Sequence, residues 1–302
     1  MVSVVIPSYN SEQTIEICLK ALQNQTFEEP YEIILVDSSD DRTPDIVREK
    51  FGTIKYIRLK EKTDPGTART LGVKESSGDP VLFIDSDCEA EKDWIEKMVC
   101  RHRHYDYGAV GGAVLNGNDP RSSVAWAGYL AEFREFIPRQ PAKEVTHIPT
   151  CNISYKREVL LQFMPFNRAY YPQEDLEFNH RLIGKGEKIF FDPSIRIYHH
   201  HRTQFGSFLK HQKKVGRITA RMISLLDLEG ARIVNDKLIA ALVIPFLPVV
   251  KWLRTVWLFI CLEPKIILRR PLSLILLATG LIYWGIGFWQ GVFTLSEREN
   301  PL

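Results

Sequence analysis

Val81-Leu82-Phe83-Ile84-Asp85-Ser86-Asp87 is the stretch on which the reading of this chain turns. Four apolar residues without alternation read as a strand buried on both faces, and two carboxylates one residue apart follow at once. The same grammar occurs twice before it. Val2-Ser3-Val4-Val5-Ile6 is closed by Pro7-Ser8-Tyr9-Asn10, and Glu32-Ile33-Ile34-Leu35-Val36 by Asp37-Ser38-Ser39-Asp40-Asp41. Residues 54–59 supply another strand. Helical stretches fall between: residues 12–24, capped by Ser11 with Ile15, Leu19 and Leu22 at helical spacing; 43–51, with Pro44 in its first turn; and 67–75. Such alternation predicts an α/β fold, a mostly parallel sheet covered by helices on both faces. Ligands of these sheets bind beyond the carboxyl ends of the strands. Pro7, Tyr9, Asn10, Asp37, Asp85, Ser86 and Asp87 are therefore the first candidate site residues.

The residue types at those ends suit a divalent cation and a diphosphate. Carboxylate oxygens favour Mg2+ or Mn2+, completed by phosphates and water, so Asp85 and Asp87 are candidate metal ligands. Alone, an Asp-x-Asp pair is usually a solvated turn; behind a buried strand, with Asp37 behind another, it predicts a site. Asp37 is expected to accept hydrogen bonds from a base or ribose, or else to cap the helix from Thr43. Arg69 suits phosphate oxygens by its planar fork, with a surface ion pair as the equal alternative. Glu174-Asp175 precedes the helical stretch 176–183, as a cap or as a general base acting on a hydroxyl. His199-His200-His201 ends a strand expected at 195–199, and alternation puts His199 and His201 on one side, as metal ligands.

Bulk properties narrow the class. The 302 residues are 45% hydrophobic and 25% charged, as in a folded protein, and a net charge of +2 without a basic motif argues against nucleic-acid binding. Five cysteines lack C-x-x-C spacing and read as free thiols of a reducing compartment. Met1 runs straight into a strand, so the first domain is expected to stay cytoplasmic, where the acceptor patterns at Asn24 and Asn152 would be accidental. Beyond residue 105 the expected strands are 107–115 and 188–191, with helices near 122–136 and 174–183.

The last third changes character. Residues 203–232 combine Phe208, Val215, Ile218 and Met222 with Lys210, Lys213, Lys214, Arg217 and Arg221, the pattern of an interfacial helix. Residues 272–295 carry no formal charge and as a helix extend about 36 Å, enough for a core of about 30 Å. Residues 238–262 are broken by Pro245, Pro248, Lys251 and Arg254, and each cation in mid-membrane costs about 2.5–3.5 kcal/mol. The expectation is one span at 272–295 and an interfacial or re-entrant pair at 238–262, with two full spans and both termini inside as the alternative. That keeps Lys265, Arg269 and Arg270 cytoplasmic and puts the tail after 295 outside. The expected division is a catalytic domain at 1–202, amphipathic helices at 203–235 and an anchor at 236–302.

Taken in order, Val4-Val5-Ile6-Pro7-Ser8-Tyr9-Asn10, Val36-Asp37, Ala68-Arg69, Asp85-Ser86-Asp87, Asn152, Glu174-Asp175 and Tyr198-His199-His200-His201-Arg202 resemble glycosyltransferase family 2, with its glycosyltransferase A fold. The resemblance covers residues 2–202. It implies an inverting sugar transferase, with Asp37 at the nucleotide, Asp87 on a metal, Asp175 as base and a histidine near the metal. Thr70 departs from it, since many relatives have asparagine after the arginine. The processive motif Q-x-x-R-W is absent; His180-Arg181-Leu182 follows the acidic pair, which favours single addition over polymerisation.

The expected partners are a nucleotide-diphosphate sugar and a hydroxyl of a membrane lipid or lipid-linked saccharide, at the cytoplasmic face of the cell membrane. A polyprenyl-phosphate acceptor is the close rival; it is already ionised and leaves Glu174-Asp175 without a task. A dehydrogenase would need G-x-G-x-x-G where Pro7-Ser8-Tyr9-Asn10 stands. A non-catalytic scaffold would have no need of the full acidic set.

Overall fold

Apolar strands bounded by polar turns need partners on both sides, and the chain supplies them in one nine-stranded sheet. The computed structural model describes residues 1–293. They form two compact units. The first holds residues 1–117 and 136–200; the second holds 118–135 and the described residues from 201 onward.

In chain order the elements are β1 (Val2–Ser8), α1 (Ile15–Gln23), β2 (Tyr31–Asp37), α2 (Thr43–Lys50), β3 (Lys55–Arg58), α3 (Pro65–Lys74), β4 (Val81–Phe83), β5 (Cys88–Ala90), α4 (Trp94–His104) and β6 (Ala109–Asn116). Then come α5 (Ser123–Glu132), β7 (Lys143–Val145), β8 (Ile153–Tyr155), α6 (Arg157–Phe163), α7 (Glu174–Ile183) and β9 (Ile189–His199). The remainder is helical: α8 (Phe205–Leu225), α9 (Ala231–Asn235), α10 (Lys237–Val243), α11 (Leu247–Leu262), α12 (Pro264–Arg269) and α13 (Pro271–Phe293).

The sheet runs β3-β2-β1-β4-β8-β6-β9-β5, with β7 also on β9. Its first four strands are parallel. Beyond β4 the pairing is mixed: β8 is antiparallel to β4 and β6, β9 is parallel to β6, and β5 and β7 are antiparallel to β9. Ser8 pairs with Asp37 and Val5 with Phe83. The polar residues after β1, β2 and β4 therefore emerge along one edge. Behind them Phe83 meets Tyr155 and Phe166 edge-on, and Phe166 stacks on Phe178 at 4.2 Å between centroids. Burying an aromatic of this kind stabilises by roughly 1.5–3 kcal/mol, and Phe178 thereby fixes α7, which opens with Glu174-Asp175.

Several local readings shift. α1 starts at Ile15 rather than at residue 12, because Ser11 is not a cap: its N–H donates to Thr43 Oγ1 at 2.9 Å and its hydroxyl pairs with Ser86 Oγ at 2.7 Å. The stretches 188–191 and 195–199 are one strand, β9, with a register break opposite Gly112/Ala113. Asp37 does not cap α2: the cap position is Arg42, and the Thr43 N–H donates to Asp41 Oδ1 at 2.9 Å. Asn152 is fully buried, its amide donating to the Ala113 and Ile195 carbonyls and accepting from Trp94 Nε1, so it offers no acceptor for glycosylation.

In the second unit Ser122 caps α5. Gln212 on α8 donates to Glu132 at 3.0 Å, and Arg254 on α11 pairs with Glu135 at 2.9 Å. The segment from Lys237 to Leu262 is continuous helix, with a short 3-10 turn at Ile244–Phe246 where Pro245 falls. It and Pro271–Phe293 are each long and apolar enough to cross a membrane. The end of the stretch expected to span, residues 294–295, and the tail after it lie outside the described residues.

Candidate active site

α3 opens with Pro65 behind a true cap, Asp64, which accepts from Thr67 N at 2.9 Å. One turn on, Arg69 is buried, 3% exposed. Its Nη1 donates to Glu174 Oε1 at 2.8 Å and its Nη2 to Asp85 Oδ1 at 2.6 Å. Burial opposes the guanidinium's charge, but Asp85, Glu174 and Asp175 around it outweigh that and hold it a cation. Burial pushes the Glu174 carboxyl up, against the pull of Arg69. Glu174 Oε2 and Arg69 Nε are buried without a hydrogen-bond partner, so this clamp keeps capacity for a further polar group.

Beyond Asp85, Cys88 and His199 face each other as ladder partners on β5 and β9. This rung brings Asp87, Cys88 and His199 together, with ligand atoms within 4.8 Å of one another; Asp87 Oδ1 and His199 Nε2 are 3.5 Å apart. Burial, with Cys151 and the carboxylates beside it, pushes the Cys88 thiol up, so it stays protonated and leaves an oxygen–nitrogen donor pair. Such donors fit Mn2+ or Mg2+ completed by phosphate oxygens. Asp85 turns to Arg69 instead, and His201 belongs to the second unit: its N–H donates to Asn118 Oδ1 at 2.6 Å and its ring meets Tyr129 and Phe133 edge-on. Neither is in the Asp87–Cys88–His199 group.

Along the parallel edge Asp37 is fully buried. It accepts from Ser39 N at 3.1 Å, from the Ser39 hydroxyl and from Tyr56 OH at 2.9 Å, with Arg58 Nη1 at 3.7 Å. Burial, then the bond to Asp37, pushes the Tyr56 phenol up, keeping it a donor. Asn10 stands in the left-handed region at φ 53°. Its Oδ1 accepts from Asp40 N and its own N–H donates to Ser39 Oγ, tying the ends of β1 and β2 together. Lys62 Nζ lies 4.1 Å from the Tyr9 ring centroid. Pro7, Tyr9, Asn10, Asp37 and Ser86 thus share one rim.

Asp175 starts α7. Its Oδ2 accepts from Thr150 N at 3.1 Å and Thr150 Oγ1 at 3.3 Å, and its Oδ1 from Leu176 N at 2.8 Å. The carboxylate is held in one orientation by donors fixed in backbone. Tyr56, Arg58, Lys62 and Thr150 were not anticipated from sequence. Thr150 carried a signal, being two residues before the quoted Asn152; the others lie in or just after the short strand β3.

Residues 3–163 match the family model described as Glycosyl transferase family 2. Glycosyltransferase AglE of Haloferax volcanii is 28% identical over 72% of this chain and 72% of its own length. The glucosyl-dolichyl phosphate glucuronosyltransferase of the same organism is 26% identical over 68% of this chain and 71% of its own. Among solved structures, the mannosyltransferase PcManGT of Pyrobaculum calidifontis, in complex with GDP-Man and Mn2+, superposes with a TM-score of 0.62 at 18% identity, covering 98% of this chain and 88% of that one. S. aureus TarS 1–349 with UDP-GlcNAc gives 0.54 at 19% identity, covering 98% and 93%. At these identities the structural likeness speaks for the fold.

Proposed function

The chain belongs to glycosyl transferase family 2 and is a glycosyltransferase, and from that premise we propose that it moves one sugar, with inversion, from a nucleotide-diphosphate sugar to a hydroxyl of a membrane lipid or lipid-linked saccharide. The observation that carries this reading is the oriented carboxylate of Asp175, beside the buried Glu174–Arg69–Asp85 clamp.

Asp37 accepts hydrogen bonds from the base or ribose, with Pro7, Tyr9, Asn10 and Ser86 around the nucleotide. Arg69, braced by Asp85, positions the diphosphate. Asp175 takes the proton of the acceptor hydroxyl as its oxygen bonds to the anomeric carbon. On the opposite face the bond from that carbon to the phosphate oxygen breaks, and nucleoside diphosphate leaves with the electron pair. Glu174 holds Arg69 in place. Asp87 and His199 would hold Mn2+ or Mg2+, which supplies positive charge to a leaving diphosphate. The names of the relatives that act on dolichyl phosphate-linked sugars support a lipid-linked acceptor. The two long apolar helices support membrane association. Soluble nucleotide sugar requires residues 1–202 at the cytoplasmic face, with 203–235 and 236–302 serving attachment.

The test offers purified chain and a panel of nucleotide sugars two acceptors, a lipid-linked saccharide and the bare polyprenyl phosphate, and reads product mass and anomeric configuration. Transfer to the saccharide with inversion is expected. Transfer confined to the bare phosphate would overturn the hydroxyl reading in favour of the polyprenyl-phosphate rival.

A further inference from the structure

By composition alone, 237–262 and Pro271–Phe293 read as spans. Within the second unit their neighbours tell a different story. α8 runs parallel to α13 at backbone contact: a Cβ on Gly280 would strike the Phe208 ring, one on Gly287 the Lys213 carbonyl, and one on Gly291 the Arg217 carbonyl. Gly216 of α8 approaches the Trp284 backbone in the same way. α8 therefore accompanies the C-terminal half of α13 for about three turns. It holds Lys210, Lys214 and Arg217 exposed along that length. Were α13 to cross a bilayer, those cations would ride beside it in hydrocarbon, each disfavouring insertion by roughly 100-fold.

The hairpin helices are also one-sided in the fold. α11 exposes Val249, Val250, Leu253 and Trp257 at helical spacing. Lys251 turns elsewhere, its Nζ 4.0 Å from the Trp284 ring centroid, and Arg254, exposed at the edge of that stripe, pairs with Glu135. α13 exposes Ile275, Ile282, Ile286 and Trp289 on one stripe and buries Gly280, Trp284, Gly287 and Gly291 on the other. A spanning pair meets lipid around most of its girth; a pair lying in one leaflet needs a single apolar stripe backed by charge.

We propose that α8 and α10–α13 seat the chain monotopically in one leaflet of an anionic bilayer. The apolar stripes of α11 and α13 lie at the acyl boundary, and Lys210, Lys214 and Arg217 reach headgroup phosphates. The turn at 263–270, with its exposed Lys265 and Arg269, returns to the same side as α8. This seating replaces the single span expected at 272–295 and rests on the membrane association proposed above.

Two experiments on the full chain test it. In a Cys100→Ser, Cys261→Ser background, which removes the two exposed thiols, Lys214→Cys and Leu268→Cys are treated with an impermeant maleimide in sealed inverted and right-side-out membrane vesicles. Leu268 is 80% exposed. Both positions, and a third cysteine placed after α13 as Asn300→Cys, are expected to label in the same vesicle orientation; labelling of Leu268→Cys or Asn300→Cys in the orientation opposite to Lys214→Cys establishes a span and overturns the proposal. In the second, purified protein is bound to vesicles of phosphatidylcholine with and without phosphatidylglycerol. The triple variant Lys210→Gln, Lys214→Gln, Arg217→Gln is expected to bind the anionic vesicles roughly 100-fold more weakly than the parent. Equal retention by parent and variant overturns the seating, and no binding by the parent to either vesicle defeats the membrane reading itself.

Discussion

The two halves of the sheet are built on different rules. From β3 to β4 every ladder is parallel, β1, β2 and β3 each feed a helix, and the polar residues at the rim hold one another: Asp37 is gripped by Ser39 and Tyr56, Asn10 by Ser39 and Asp40. From β8 to β5 the pairings are mixed, and the chemical groups are held by segments distant in sequence, Asp175 by Thr150 and His199 beside Asp87. On the reading proposed above, the parallel half is a donor-binding rim closed by the polar ends of its own strands, and the mixed half is a reaction rim assembled across the sheet by β5, β9 and the start of α7. The comparison predicts that damage to the first shows in donor affinity and damage to the second in turnover.

The largest effect is expected where the halves meet. Asp87 follows β4 and adjoins β5, so Asp87→Ala should lower transfer by about 10³-fold or more and also weaken donor binding, since the diphosphate meets uncompensated carboxylates. Steady-state transfer together with calorimetric donor titration reads both, and normal turnover would remove Asp87 from the site. Next comes Asp175→Asn, which should leave donor Kd unchanged and lower kcat by about 10²-fold or more. A matching loss of donor affinity would move Asp175 to the binding rim and break the comparison. Tyr56→Phe removes one donor to Asp37, an effect of about 1 kcal/mol; donor Kd should rise about 5-fold with kcat held, and a kcat effect alone would contradict the division. The smallest is Lys62→Ala. Losing an exposed cation–π contact of about 0.5–1 kcal/mol should change donor Kd about 2–5-fold, readable by the same titration.

The same contrast governs what was legible beforehand. β1, β2 and β4 announce themselves because each carries an unbroken apolar run, Val4-Val5-Ile6, Ile33-Ile34-Leu35-Val36 and Val81-Leu82-Phe83, and Asp37 and Asp85 because they are the first charges after such runs. α3 was legible to within two residues. β5 was not: Cys88-Glu89-Ala90 has no β-branched residue, and it is a strand only because β9 lies beside it. β8 hides its nature behind Ser154, a polar residue buried by bonding to the Val110 carbonyl and pairing with His102. Tyr56 sits in β3, a strand exposed at both ends, where no burial pattern marks an inward hydroxyl. Ser11 showed the cap signature, but the pull of Thr43 and Ser86 on it comes from 32 and 75 residues away. Residues 118–135 join helices more than seventy positions downstream, an association without any local sign.

A ladder rung takes no account of how much chain lies between its two partners. Cys88 opposite His199 fixes Asp87 next to that imidazole, yet the whole of residues 91–188 lies between the two strands. The surface connections between β5 and β9 can accordingly change length without altering that rung. Inside the rung the freedom vanishes: one residue inserted or deleted within β5 turns every side chain of that strand to the other face.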